Sequence, residues 1–296
     1  MVHTKIETRN FLKGMAFLSP WLIGLAAFLA IPIGLSLYLS FCNYPLLQPP
    51  IFIGLRNYSH MIHDPVFWTA LGNTLAYAAM ALPVGMIIAL GAALLLNSKV
   101  RGLSLYRTLV FLPSLLPAVA SAMVWLWLFN AKLGLLNFVL RKVGVAHPPA
   151  WLSSPRWAMP ALVLMSFWGI GNTVVIYLAG LQNVPRELYE AADIDGADGW
   201  RKIRHVTLPC ISPVIFFNLV MAIIGTLQNF TAPYIMTGGG PVRATYFYTM
   251  YLYDSAFKYL RMGYASAMAW VQFLLILALT GLAFWSARHW VHYQGR

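Results

Sequence analysis

Charge and cysteine are what this sequence has least of. Only 9% of its 296 residues are Asp, Glu, Lys or Arg, against roughly 25% in ordinary globular chains. Eight are acidic (Glu7, Asp64, Glu187, Glu190, Asp193, Asp195, Asp198 and Asp254), and five of these crowd between 187 and 198. The two cysteines, Cys42 and Cys210, fall at what the hydropathy pattern places as opposite membrane faces, so no disulfide is expected. There is no Gly-Lys pair anywhere, which excludes an ordinary GxxxxGK[ST] phosphate loop. HExxH and GxSxG are missing too. His60 with His63, and His289 with His292, have no third ligand nearby, so no metal site is expected. Twenty Lys and Arg give a net charge of +12. They are scattered over loops and termini, which does not make a nucleic-acid face.

What fills the chain instead is apolar: 60% of residues are hydrophobic, with eleven Trp. Six stretches, 15–41, 72–96, 106–129, 158–181, 210–234 and 265–287, are each long enough as helices to cross a hydrocarbon core of about 30 Å. The first follows Lys5, Arg9 and Lys13. It is much longer than the roughly 7–15 apolar residues of a secretory signal, so it is expected to stay as a span. Pro20, Pro32, Pro113 and Pro117 lie inside spans, where membrane helices tolerate bends. The expected fold is all-α and integral to the membrane, one domain over 1–296 with about six transmembrane helices. Twelve Lys and Arg fall on the side of the two termini and of residues 182–209, and eight on the other. That bias places both termini and 182–209 in the cytoplasm. Three of the twelve (Lys99, Arg101 and Arg107) sit in the turn before the third span.

No Asp, Glu or His falls within a span. A proton relay or a membrane enzyme would need them there. The spans hold neutral polar and aromatic residues instead: Asn73, Thr74, Trp125, Trp127, Ser166, Trp168, Asn172, Thr173, Tyr177, Asn218, Thr226, Gln228, Asn229 and Thr231. Amides and hydroxyls paired with aromatic faces suit a neutral polyhydroxylated solute. The same residue types also glue membrane helices together. Gly169 and Gly171 would let a solute or a neighbouring helix come close.

Between the fourth and fifth spans lies the polar island ELYEAADIDGADGWRKIRHVTLP, residues 187–209. Pro185 and Glu187 suit a first helical turn, and Asp195-Gly196 reads as a stop. A second short helix from about Ala197 is expected to end before Pro209. Glu190-Ala191-Ala192, Asp195-Gly196-Ala197 and Pro209 resemble the EAA loop of bacterial ABC importer membrane subunits. The chain departs from that pattern at Ile203, where the family commonly has Phe, and at the polar Asp198-Gly199. The GLRNY run at 54–58 and the TGGGP loop at 237–241, with aromatics after it, resemble the carbohydrate-uptake branch. Within it they are similar to the first of the two permease subunits, the maltose importer's F type. The likeness covers nearly the whole chain.

This resemblance implies a permease subunit of an ATP-driven importer for a carbohydrate, polyol or glycerol phosphate in a bacterial or archaeal cytoplasmic membrane. It implies as partners a second homologous permease, two copies of an ATPase subunit and an extracytoplasmic solute-binding protein. ATP and Mg would sit on the ATPase, with no cofactor and no catalytic residue in this chain. Coupling would run through Glu190, Ala191, Ala192, Asp195, Gly196 and Ala197. Ser166, Gly169, Asn172, Gln228 and Asn229 would lie along the substrate pathway. The competing reading is an ATP-independent secondary transporter or channel for a small polar solute, which the uncharged spans disfavour.

Overall fold

In hydrocarbon every backbone N–H and C=O must find a partner, and a helix supplies one within a single segment. The computed structural model describes residues 2–98 and 101–292. Lys99 and Arg296, two of the basic residues assigned to the cytoplasmic side, lie outside them, as do the side chains of Lys5 and Arg9. In chain order come α1 (Val2–Leu25), α2 (Ile31–Ser40), the strands β1 (Cys42–Asn43) and β2 (Ile51–Phe52), α3 (Arg56–His63) and α4 (Pro65–Leu96). Next are α5 (Leu103–Phe111), α6 (Ala118–Leu128), α7 (Leu135–Lys142), α8 (Pro155–Ser166) and α9 (Gly171–Gln182). The chain continues with α10 (Arg186–Ile194), α11 (Gly199–Lys202), α12 (Leu208–Leu227), α13 (Thr231–Met236), α14 (Tyr248–Tyr253) and α15 (Met262–Trp290).

Four segments are long and apolar enough to cross a membrane: Lys13–Ser40, Pro65–Leu96, Gly199–Met236 and Met262–Trp290. Two more are bent pairs, and counting each pair as one span brings the number to six. The stretch expected at 106–129 is not one helix. Leu103–Leu115 and Ala118–Leu128 meet at 101°. Pro117 forces Leu116 into extended backbone (φ −73°, ψ 135°), and Pro113 brings no N–H to the turn before it. The stretch expected at 158–181 is bent by 49° between Pro155–Gly169 and Gly171–Gln182.

The chain divides into two compact units. One comprises residues 1–63 with 252–272. Here β1 pairs antiparallel with β2. Asn57 Nδ2 donates to the carbonyls of Ser40 and Cys42, both at 2.9 Å, and Tyr58 Oη donates to Ser40 Oγ at 2.8 Å. These two residues of the GLRNY run are thus structural anchors. His60 meets the edge of Tyr264, while His63 Nδ1 contacts the Ser59 carbonyl at 2.7 Å.

The other unit comprises residues 64–251 with 273–296. Asp64 caps α4, its Oδ1 accepting from Val66 N at 2.8 Å and its Oδ2 from Tyr251 Oη. One buried cluster joins α4, α9 and α12 through Ala89, Ala93, Val174, Tyr177, Leu181 and Ile211. A second holds Tyr77, Trp125, Phe129, Leu162 and Phe247. Alanine at 89, 93, 122 and 161, all fully buried, lets the helices approach closely. A close approach between helices is at Gly171. A Cβ there would stand 2.8 Å from Ser114 Oγ, 2.9 Å from the Val110 carbonyl oxygen and 3.0 Å from Phe111 Cα. Two of those three neighbours are backbone and cannot turn aside.

Gly171→Val should therefore destabilise the protein by about 1–3 kcal/mol, an overpacking cost. Gly91→Ala, in α4 with nothing within 4 Å of the new methyl, should not. Apparent melting temperatures in detergent check this; equal values for both variants would contradict the packing described.

Candidate functional site

Three helical interruptions converge in the second unit. The first is the Leu112–Pro117 break between α5 and α6. The second is a tightened turn, Phe167–Gly169, between α8 and α9. The third is 228–230, where α12 stops one residue short of Gln228 and α13 begins at Thr231. Residues from all three breaks line one cavity of about 400 Å³. Ser114 and Leu116 come from the first, Trp168 and Gly169 from the second, and Thr226 and Asn229 from beside the third. Ser166 of α8, Tyr77 of α4 and Ser121 of α6 complete its polar lining, and no lining residue carries a charge.

Local geometry sets what the cavity offers. Ser166 Oγ donates to the Val163 carbonyl at 2.6 Å and Ser114 Oγ to that of Phe111 at 2.6 Å. Both hydroxyls thereby spend their proton on their own helix and keep acceptor lone pairs. Tyr77 of α4 lines the cavity together with Ser166 and Asn229, so α4 forms one wall beside the second and third breaks. Trp168 is 40% exposed and stands edge-on to buried Trp125, with centroids 5.7 Å apart. The cavity therefore presents hydroxyls, an amide and one supported aromatic ring.

Of the pathway residues expected from sequence, Ser166, Gly169 and Asn229 line this cavity, while Asn172 and Gln228 do not. The latter two are exposed. Tyr77, Ser114 and Ser121 were not expected there. Pro113 and Pro117 pointed to the first break, but the partners on α4 and α6 depend on packing that no local pattern encodes. Asn73 and Thr74 do structural work instead. Asn73 Nδ2 donates to the carbonyls of Arg243 (2.7 Å) and Tyr246 (3.2 Å), and Thr74 Oγ1 accepts from Tyr248 N at 2.8 Å. They pin the TGGGP loop to α4. Within that loop Thr237 and Thr245 hydroxyls meet at 2.7 Å, and Thr245 donates to the Gly240 carbonyl at 2.6 Å. A loop that reads as flexible from its three glycines is held at both ends.

The polar island folds as a helical knob. Pro185 stands at the N-cap, one position earlier than expected, and Glu187 lies in the first turn of α10. Gly196 has φ +70°, and the N–H groups of Gly196 and Ala197 return to the carbonyls of Asp193 (3.1 Å) and Ala192 (2.9 Å). This is a Schellman stop, which needs a residue free of Cβ strain at that φ. Asp198 then caps α11, accepting from Arg201 N at 2.8 Å. The second helix does not end before Pro209 as expected. A wide five-residue turn, Ile203–Thr207, leads straight into α12 and absorbs the N–H that Pro209 lacks. Lys202 pairs with Asp193, and Tyr189 Oη meets Thr207 Oγ1 at 2.9 Å, so α10 is tied to the base of α12. Glu190, Ala191, Asp195 and Gly196 are exposed, Ala192 and Ala197 half-buried. Ile194 (88% exposed) and Trp200 (69%) add large apolar side chains to the knob's surface.

Residues 65–292 match the model of the binding-protein-dependent transport system inner membrane component family. The chain is 40% identical to the probable ABC transporter permease protein YesP of Bacillus subtilis, over 97% of this chain and 94% of that protein. It is 35% identical to SmoG, the sulfoquinovosyl glycerol transport system permease protein of Agrobacterium fabrum, over 94% and 91% of the two chains. Its fold is similar to that of a chain in a bacterial ABC transporter involved in importing the acidic polysaccharide alginate. There the TM-score is 0.84 at 25% identity, covering 97% of this chain and 99% of the other. The matched span takes in all three helical breaks and the knob, and the chain belongs to the inner membrane component family of binding-protein-dependent transport systems.

Proposed function

We propose that this chain is one half of a sugar-conducting pathway, and that the cavity at the three helical breaks is where the sugar rests. The observation that carries this reading is the convergence itself. Broken backbone at membrane depth is tolerated where it lines a cavity. Here that cavity holds hydroxyls, an amide and a tryptophan face with no charge, the recognition set of a polyhydroxylated solute. Relatives whose names include a sugar glycoside and a structure from an alginate importer support a carbohydrate class. The neutral lining favours contact with hydroxyls and ring faces over any acidic group.

In this reading a second, homologous permease closes the pathway, and two ATPase copies, carrying ATP and Mg, receive the knobs on the cytoplasmic side, where both termini also lie. Exposed Ile194 and Trp200 beside Glu190 suit a docking surface, and the Tyr189–Thr207 and Asp193–Lys202 ties make the knob a stiff lever on α12. The third break lies at the far end of α12. Motion imposed on the knob therefore reaches Thr226 through one continuous helix, and Asn229 stands just beyond its end. A solute-binding protein delivers the sugar from the opposite side.

Reconstituted with its second permease, ATPase and binding protein, the chain should show ATP hydrolysis stimulated by sugar-loaded binding protein. Gly196→Pro cannot hold φ +70° because proline fixes φ near −65°. It and Glu190→Lys should abolish stimulated transport while membrane insertion stays normal; unimpaired uptake in both would remove the coupling role. Asn229→Ala should lower sugar affinity roughly tenfold, the loss of about one net hydrogen bond. Gln228→Ala, outside the cavity lining, should leave it unchanged. Binding or uptake titrations decide, and equal behaviour of the two variants would rule out this cavity as the sugar site.

A further inference from the structure

A second cavity, of about 280 Å³, opens between α5 and α9. Its walls are apolar side chains of Val110, Phe111, Val174, Val175 and Leu178, and at its rim stands Arg107. Arg107 lies in the second turn of α5, where the basic turn after α4 passes into the third expected span. Its Nη2 donates to the Leu96 carbonyl at the end of α4 (3.1 Å), while its Nε is buried without a hydrogen-bond partner. Neither the Asp193–Lys202 nor the Asp254–Lys258 ion pair involves Arg107. A half-buried guanidinium with no counter-charge at the edge of the bilayer is costly. Nearby Leu105, Tyr106 and Leu109 are 53–62% exposed, the surface expected against acyl chains.

We infer that this trough binds one anionic phospholipid, its acyl chain between α5 and α9 and its phosphate on Arg107. The charge arrangement favours a lipid over a helix of the second permease. A partner built like this chain would bring no carboxylate within its spans, whereas a phosphate supplies the missing counter-charge and matches the guanidinium's donors. Basic pockets between membrane helices on the cytoplasmic side are suited to such headgroups. The trough also bears on the lever. Val174 and Leu178 belong to α9, which ends at Gln182 and leads into α10 at Arg186. A chain wedged against α9 braces the segment that feeds the knob. The binding stands without the sugar assignment; only its effect on coupling rests on that reading.

The test uses the assembled transporter, taken from vesicles of equal phosphatidylcholine and phosphatidylglycerol and stripped stepwise with detergent, with native mass spectrometry counting retained lipids. The wild type should keep phosphatidylglycerol over phosphatidylcholine by roughly fivefold, the effect expected of one basic residue near the surface. Arg107→Gln should bring the two to parity, and Arg107→Lys should keep most of the preference. Val175→Trp, which fills the trough and leaves the guanidinium in place, should lose the retained lipid altogether. Equal retention of both lipids by the wild type, or an unchanged preference in Arg107→Gln or Val175→Trp, would overturn the site. So would a cross-link from position 175 to the second permease in high yield, because the trough would then be filled by protein. Sugar-stimulated ATP hydrolysis in phosphatidylcholine alone, compared with the mixture, separately reads the bracing effect.

Discussion

The constraint on which this structure depends is that a peptide bond has nowhere to hide in hydrocarbon. A helix solves the problem by pairing each backbone group within its own segment, and six apolar stretches take that solution. Wherever the helix is interrupted, the freed N–H and C=O groups need something polar to face. The interruptions at Pro113–Pro117, at Phe167–Gly169 and at 228–230 face one another across a shared cavity. The breaks and the cavity are therefore one feature: neither is stable in a membrane without the other. Close contact at Gly171, which brings the second break onto the backbone of the first, holds them in register.

The same economy governs the charged residues. Asp64 is consumed in capping α4 and in accepting from Tyr251, and Asp254 pairs with Lys258 at 2.7 Å. The densest group of charges left is the knob between α9 and α12. Its stop at Gly196, its ion pair and the Tyr189–Thr207 contact hold it as a body continuous with the helix that ends at the cavity. A polar island that only kept a loop soluble would not need to be welded to a span.

Much of this was legible in the sequence because membrane composition is a strong signal. Apolar runs of this length mark the helical class, and the EAA and TGGGP patterns point to the family. The stop at Asp195-Gly196 was legible because a Schellman turn has a local chemistry. Less legible was how polar residues divide between gluing and binding. Asn73 and Asn229 look alike in sequence, yet one pins the TGGGP loop and the other reaches the cavity. Asn172 and Gln228 are exposed and stand outside the cavity lining, which no local pattern announces. Tyr77 gave no signal, since its part depends on how α4 packs against two breaks more than eighty residues further along. The continuous run from α11 through Pro209 was hidden for a different reason: a wide turn can absorb a proline that ordinarily ends a helix.

The central claim is that the cavity at the three breaks receives the solute, and thiol protection tests it most directly. With Cys42 and Cys210 replaced by Ser or Ala, Thr226→Cys places one reactive thiol in the cavity wall and Gln228→Cys places one outside it. Maleimide labelling of the assembled transporter is then timed with and without the transported sugar. The account predicts that sugar slows labelling at 226 and leaves 228 unaffected. Equal labelling at 226 with and without sugar, in an assembly shown to transport it, would contradict the account.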